Sequence, residues 1–379
     1  MFHFLMVLTI CSTIGLQAWL TLFNNFAVEK IGLTGRQVGV IQSVREIPGF
    51  LTLLVIFVMV IIKEHRLSAI SVIILGLGLA LTGIFPSYGG LMIMTLIMSF
   101  GFHYYETTNQ SLTLQYFDED TSPWVFGKLR SIAAASNIGI GIIIYFFSAI
   151  LDFNHTYLII GGMIMAAGFW AFTRNPTDRS LVLQHKKMVF RKRYWLYYFL
   201  TFMAGARRQI FIAFAVFLLV KKFDFTVRDV TTLFVINNFI NYFLSPLIGK
   251  SIIRFGEKKV LSLEYSCLIF VFLGYAVAES RMVAAVLYIL DHIFFNFAIA
   301  IRTYFQKVGD PKDIAPSMAV GFTINHIAAV FLPAVGGLLW MVDYRIPFLA
   351  DAFLSLVSLM AVQQIRVPKR PTGFKKKIL

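Results

Sequence analysis

Charged residues and cysteines are both scarce in this chain of 379 residues. Only 14% of the residues are charged, whereas 58% are hydrophobic and 39 are Phe. This balance excludes an ordinary soluble globular protein and indicates an integral membrane protein. The two cysteines, Cys11 and Cys267, lie in apolar segments without metal-type spacing, so we expect neither a disulfide framework nor a metal site.

A complete nucleotide-binding loop is also missing. Gly249, Lys250 and Ser251 resemble the end of a phosphate-binding loop, but Leu244 stands where that loop has its first glycine. The sequence therefore predicts neither an ATP-driven pump nor an enzyme, and it indicates no cofactor. Transport by this chain would be driven by a gradient.

Apolar segments long enough to cross a membrane are what the chain has in abundance. We predict an all-α integral membrane protein with twelve transmembrane helices, at 2–27, 38–62, 67–86, 90–116, 129–151, 155–173, 194–220, 229–252, 260–278, 282–305, 317–342 and 347–365.

An internal repeat divides these helices into two halves of six. A shift of 192 positions aligns Thr34 with Thr226 and Arg36 with Arg228. Two parallel, pseudo-symmetric halves with a site between them are typical of a secondary transporter. The predicted divisions are a first half at 1–173, a basic linker at 174–193, a second half at 194–366 and a basic tail at 367–379.

The net charge of +15 is distributed unevenly over the connections between helices. The tail and the connections on the linker side carry 23 Lys and Arg residues, whereas the connections on the other side carry seven. By the positive-inside rule, both termini and the linker are expected to be cytoplasmic, in a bacterial inner membrane. The basic residues thus need no nucleic acid partner, and we expect the tail to contact anionic lipids.

One loop motif resembles a known transporter family. In GKSIIRFGEKK, the residues Gly249, Arg254, Gly256 and Lys258 match the gating-loop motif of the major facilitator superfamily, whereas Ile253 and Glu257 depart from it. The resemblance extends over nearly the whole chain. It implies a twelve-helix fold in which helices 1, 4, 7 and 10 line a central path, with the motif in a gating role.

Two adjacent arginines, Arg207 and Arg208, lie near mid-bilayer in helix 7. One arginine at this depth costs about 2.5 to 3.5 kcal/mol on insertion scales, so both should face the protein interior. Because they point about 100° apart on a helix, they cannot do the same work. We expect Arg208 to bind an anionic solute and Arg207 to pair with a carboxylate; in the alternative, Glu106 and Asp291 neutralise both arginines.

Other polar residues at membrane depth are further candidates. The candidate substrate contacts, beside the two arginines, are Gln17, Arg45, His103, Asn109, Gln110, Asn237, Asn241, His292 and Asn296. Glu106, Asp291 and Glu46 are candidate proton-coupling residues. The histidines, with His326, equally fit hydrogen-bonded packing, the asparagines of helix 8 fit interhelical hydrogen bonding, and Arg45 and Glu46 fit a structural pair that closes the outer gate.

Three functions fit these features. The first is a monomeric transporter that moves a small anionic or zwitterionic solute by alternating access, coupled to protons. The second is a proton-driven exporter of cationic or lipophilic compounds, in which Glu46, Glu106 and Asp291 bind the cargo. The third is a membrane sensor or scaffold that does not transport.

Overall fold

The computed structural model describes residues 1–33, 35–177, 188–225 and 227–367. The described residues form helices and connections without a strand, so the all-α prediction is confirmed. Parts of the predicted linker (178–187) and of the tail (368–379) lie outside the described residues, as do Thr34 and Thr226 of the repeat.

The first half contains helices 1 to 6. Helix 1 joins an α-helix at Phe2–Asn25 to a π-helical turn at Phe26–Lys30, and helix 2 comprises Gly35–Phe50, Leu51–Leu54 and Val55–Ile61. The remaining four are helix 3 at Glu64–Thr82, helix 4 at Tyr88–Tyr116, helix 5 at Ser122–Ile150 and helix 6 at Phe153–Phe172.

The second half contains helices 7 to 12. Helix 7 comprises Lys192–Tyr194, Trp195–Ile210, the π-helical turn Phe211–Ala215 and Val216–Phe223. Helix 10 comprises Arg281–Phe295, a 3-10 turn at Asn296–Ala298 and Ile299–Val308. The others are helix 8 at Val227–Phe255, helix 9 at Glu257–Val277, helix 11 at Ile314–Val342 and helix 12 at Arg345–Val362.

Nine of the helices in the described part of the chain are long and apolar enough to cross a membrane. Helices 4 and 7 fall outside that set. Helix 4 carries Glu106, and helix 7 carries both mid-membrane arginines and is divided by its π-helical turn. The polar candidates of helices 4 and 7 therefore interrupt otherwise apolar helices.

Helix 5 begins seven residues earlier than the sequence predicted. The prediction placed its start at 129, but the structure begins the helix at Ser122, with Pro123 in its first turn. Proline is favoured there because the first helical N–H groups have no partner within the helix. As a consequence, Arg130 lies eight residues after the start of helix 5, rather than one residue after it.

Matching polar contacts show the repeat in three dimensions. Gln115 Nε2, at the end of helix 4, donates to Glu64 Oε2 at the start of helix 3, at 2.7 Å. In the second half, Lys307 Nζ at the end of helix 10 lies 2.8 Å from Glu257 Oε1 at the start of helix 9. Each half therefore ties the same two helix ends together.

The two halves contact each other near one end of the bundle. We call it the linker end because the described ends of the linker and the connections after helices 2, 4, 8 and 10 lie there. Gln306 Nε2 donates to the carbonyl oxygens of Leu114 (2.7 Å) and Phe117 (2.6 Å), and Ser122 Oγ donates to Gln306 Oε1 (2.5 Å). These bonds close the space between the halves at the linker end.

Candidate functional site

A cavity of about 510 Å³ lies between the two halves. Its size is within the range of small-molecule sites. Helices 1, 4, 7 and 10 line it, as the resemblance implied, together with helices 5, 8 and 11. The predicted candidates in its wall are Gln17, His103, Glu106, Asn109, Gln110, Arg208, Asn237, Asn241, His292 and Asn296.

Among the residues that the structure describes, three arginines and one carboxylate are the charged side chains of this wall. Arg208 extends from helix 7, Arg130 from helix 5 and Arg302 from helix 10, while Glu106 extends from helix 4. Glu106 interacts electrostatically with Arg302 and Arg130. With neutral histidines, three positive charges against one negative charge leave the wall with a formal charge of +2.

A hydrogen-bond network fixes Arg130 across the boundary between the halves. Its Nε donates to Asn296 Oδ1 at 3.1 Å, and Asn296 Nδ2 donates to Asn241 Oδ1 at 2.6 Å. Asn241 and Asn296 are therefore committed to contacts between helices. The side-chain amide of Asn237, in contrast, has no hydrogen-bond partner among the described residues, so it is free to contact a solute.

Arg207 lies outside the cavity wall, in the interior of the second half. Only 2% of its surface is exposed; its Nη2 is 3.7 Å from Glu264 Oε1, and its guanidinium lies 4.2 Å from the ring centroid of Tyr265. Asp291 and Asp351, both buried, lie within its electrostatic range. We call Arg207, Glu264, Asp291 and Asp351 the buried cluster.

The buried cluster separates residues that the sequence analysis grouped together. The ion-pair partner of Arg207 is Glu264 of helix 9. Of the two partners considered from the sequence, Asp291 interacts electrostatically with Arg207, whereas Glu106 interacts with cavity arginines instead. Asp291 is not part of the cavity wall, although its neighbour His292 is. Adjacent residues on a helix point in different directions, which separates Asp291 from the other candidates.

Arg45 and Glu46 also lie outside the cavity wall, on helix 2. Arg45 Nη2 is 2.7 Å from Glu46 Oε1, because both side chains are long enough to curl toward each other although the residues are adjacent. The Arg45 guanidinium lies 5.3 Å from the Trp19 ring centroid. Arg45 is thus held by its own half, which fits the structural alternative better than a solute contact.

The gating-loop residues shape the backbone between helices 8 and 9 and make contacts at the ends of helices. Gly256 has a φ of 81°, a conformation that favours glycine, just before helix 9 begins. A side chain at Gly249 would clash with the Pro123 carbonyl oxygen, so helices 5 and 8 of opposite halves approach closely there. Lys258 Nζ donates to the Gln363 carbonyl oxygen at 2.8 Å, and Arg254 stacks its guanidinium 5.3 Å from the Phe255 ring centroid.

Comparison with known proteins assigns the fold to a family. The family profile described as Major Facilitator Superfamily matches residues 5–311. This chain belongs to the Major Facilitator Superfamily. It is therefore a membrane-spanning transporter by family and fold, which confirms the resemblance seen in its sequence. No curated protein sequence matches the chain.

Several solved transporters share the fold at low sequence identity. The FucP transporter in its outward conformation is 14% identical with a TM-score of 0.78, covering 97% of this chain and 99% of its own. The human organic anion transporter MFSD10 (TETRAN) is 11% identical with a TM-score of 0.75, covering 96% and 98%. A bacterial homologue of the iron transporter ferroportin, outward-facing with soaked iron, is 12% identical with a TM-score of 0.76, covering 96% and 99%.

Sequence reasoning missed three charged residues that shape these two regions. Arg130 was counted as a loop charge, because the polar start of helix 5 was not recognised; the Ser122-Pro123 pair was the available signal. Glu264 and Asp351 were not singled out as intramembrane acids, although each is a lone carboxylate within an apolar helix. Arg302, which lies within the predicted helix 10, is also in the cavity wall but was not among the candidate substrate contacts.

Proposed function

We propose that this chain is a proton-coupled secondary transporter of a small anionic solute. The observation that supports this proposal is the excess of three arginines over one carboxylate in the wall of a cavity between the halves. Arginine suits this role because its planar group donates two parallel hydrogen bonds to a carboxylate or phosphate. A zwitterionic solute would place its anionic group on the same arginines and its cationic group near Glu106.

Glu106 is the coupling residue in this proposal. It faces Arg130 and Arg302 across the cavity, and His103 and Gln110 accompany it on helix 4. When Glu106 is ionised, it competes with the solute for these arginines; when it is protonated, the formal charge of the wall rises from +2 to +3. Protonation should therefore favour anion binding, which links the two in one transport step.

The contacts between the halves support an alternating-access cycle. The bonds of Gln306 to Leu114 and Phe117 close the linker end, and Asn137 Nδ2 donates to Asn238 Oδ1 at 3.1 Å about midway along helices 5 and 8. With the linker in the cytoplasm, as the charge asymmetry suggests, this arrangement corresponds to an outward-facing state.

The orientation can be tested separately by labelling. A cysteine placed at Ser180, in the part of the linker outside the described residues, should react with a membrane-impermeant reagent only in inverted vesicles. Reaction in intact cells would contradict the cytoplasmic placement of the linker.

The charge of the cargo can be tested by thermal stability. A ligand that binds only the folded state at 100 times its Kd stabilises that state by about 2.7 kcal/mol. We expect carboxylates or phosphate esters to raise the unfolding temperature of the purified chain and lipophilic cations to have no effect. Arg208→Gln should abolish this shift, whereas Lys222→Gln, on an exposed residue at the far end of helix 7, should preserve it.

Transport itself can be tested in proteoliposomes with the anion that binds best. Accumulation driven by an inward proton gradient would support the proposal. Stabilisation by cations alone would instead favour the proton-driven exporter, and binding without any flux would favour a sensor.

A further inference from the structure

Glu46, His103 and His326 come together where helices 2, 4 and 11 meet. One potential ligand atom from each residue lies within 4.8 Å of the other two. The rings of His103 and His326 are perpendicular, with centroids 5.0 Å apart. Helices 2 and 4 belong to the first half and helix 11 to the second, so the group spans the boundary that transport must open.

Each of the two histidines has a ring nitrogen that is available to a ligand. His326 Nδ1 lies 2.9 Å from the Phe322 carbonyl oxygen, which accepts its proton and leaves Nε2 as the free ligand nitrogen. Metal-binding histidines commonly have such a second hydrogen bond, because it fixes the tautomer and the ring orientation. His103 is 5% exposed, and its Nδ1 has no hydrogen-bond partner among the described residues.

Helix 2 approaches these rings closely because residue 49 is glycine. A Cβ at Gly49 would lie 2.8 Å from His326 Nε2 and 3.1 Å from His103 Cε1. Any larger side chain would occupy the space between the two imidazoles and the helix. The same approach brings Glu46, one helical turn before Gly49, to the histidine pair.

We propose that Glu46, His103 and His326 bind a divalent transition metal ion of the Fe²⁺, Co²⁺ or Zn²⁺ class. Two imidazoles and one carboxylate suit these ions, whereas Ca²⁺ and Mg²⁺ prefer a set of oxygen ligands. Three protein ligands leave at least one coordination position open. Because His103 and His326 both line the cavity, that position faces the solute.

Nearby positive charge affects how tightly this site binds a metal ion. Arg45 is paired with Glu46, and Arg208 interacts electrostatically with Glu46, His103 and His326. Both arginines oppose a bare cation, and an anion in the cavity would offset them. The site is therefore expected to bind its metal more tightly when Arg208 is replaced by a neutral residue. The proposed anion transport predicts the opposite effect for the solute, which should then bind more weakly.

The test is a Zn²⁺ titration of the purified, untagged full-length chain after chelator treatment, followed by equilibrium dialysis and thermal unfolding. We expect one tightly bound ion per chain. His103→Gln, His326→Gln and Glu46→Gln should each weaken binding at least about tenfold, the lower end of the effect of losing even a supporting residue. The matched control is His292→Gln, which removes a cavity histidine outside the group.

Two further measurements distinguish metal binding from a folding defect and from anion binding. The visible absorption bands of Co²⁺ bound to the unaltered chain should differ from those of the hydrated ion, and a spectrum identical to that of the hydrated ion would overturn the proposal. Arg208→Gln should raise Zn²⁺ affinity several-fold while it abolishes anion binding. Unchanged Zn²⁺ affinity in the His103→Gln/His326→Gln double variant, or an equal loss in His292→Gln, would also overturn it.

Discussion

The cavity between the halves and the buried cluster inside the second half satisfy charge at membrane depth in opposite ways. Arg208 is in the wall of a cavity that both halves line, and its Nε has no hydrogen-bond partner among the described residues. Arg207, the preceding residue, is enclosed by helices 7, 9, 10 and 12 of a single half and is 2% exposed. One helix can therefore place one charge in a cavity wall and the next in a closed interior.

The buried cluster should dominate stability. Arg207→Ala leaves Glu264, Asp291 and Asp351 without their shared cation in a water-poor interior. Breaking a buried pair in this way typically costs about 3 to 5 kcal/mol. We expect a large fall in unfolding temperature for Arg207→Ala in detergent and a small one for Arg208→Ala. Equal losses in the two variants would erase the distinction between the two regions.

The two acids provide the next contrast. Glu106→Gln should make anion binding independent of pH and end proton-driven accumulation, because removing one charge beside the cavity arginines changes their interaction by roughly 2 kcal/mol. Asp291→Asn, in the buried cluster, should keep the pH dependence of transport. The measurement is uptake at several external pH values in proteoliposomes. Retained coupling in Glu106→Gln together with its loss in Asp291→Asn would move the proton site into the buried cluster.

Lysine substitutions sharpen the comparison at constant charge. Arg208→Lys retains the charge but loses the paired donors, and one lost hydrogen bond to a charged group costs at least about 1.5 kcal/mol, or roughly tenfold in anion affinity. Arg207→Lys should bind the anion normally but unfold at a lower temperature. Ligand titrations and melting curves on both variants check this; normal anion affinity in Arg208→Lys would contradict a paired contact.

Two glycines test the same distinction in the backbone. Gly205 packs against the Asn325 carbonyl oxygen within the second half, whereas Gly249 packs against the Pro123 carbonyl oxygen of the opposite half. Overpacking usually costs about 1 to 3 kcal/mol. Gly205→Ala should lower the unfolding temperature, and Gly249→Ala should mainly open the linker end. Spin-label distances between helices 5 and 8 would report the opening, and identical distances in Gly249→Ala and the unaltered chain would argue against it.

The apolar segments determined the class of fold by themselves. Backbone groups in lipid must bond within their own segment, so long apolar runs form helices whatever surrounds them. The all-α prediction is confirmed, and the described elements group into twelve helices, as the family implies. Their starts and ends differ from the prediction in places such as helix 5, where polar residues continue the helix beyond the apolar run. Helical periodicity also showed that Arg207 and Arg208 point in different directions, because that angle is a property of one helix.

Only the tertiary structure decided which residues face one another. Glu264 lies 57 positions after Arg207, and His326 lies 223 positions after His103, so neither contact has a sequence spacing that could reveal it. The same limit concealed the place of Arg130 beside Asn296. A helix specifies which of its faces is polar, but its neighbour on that face depends on how helices from distant parts of the chain pack together.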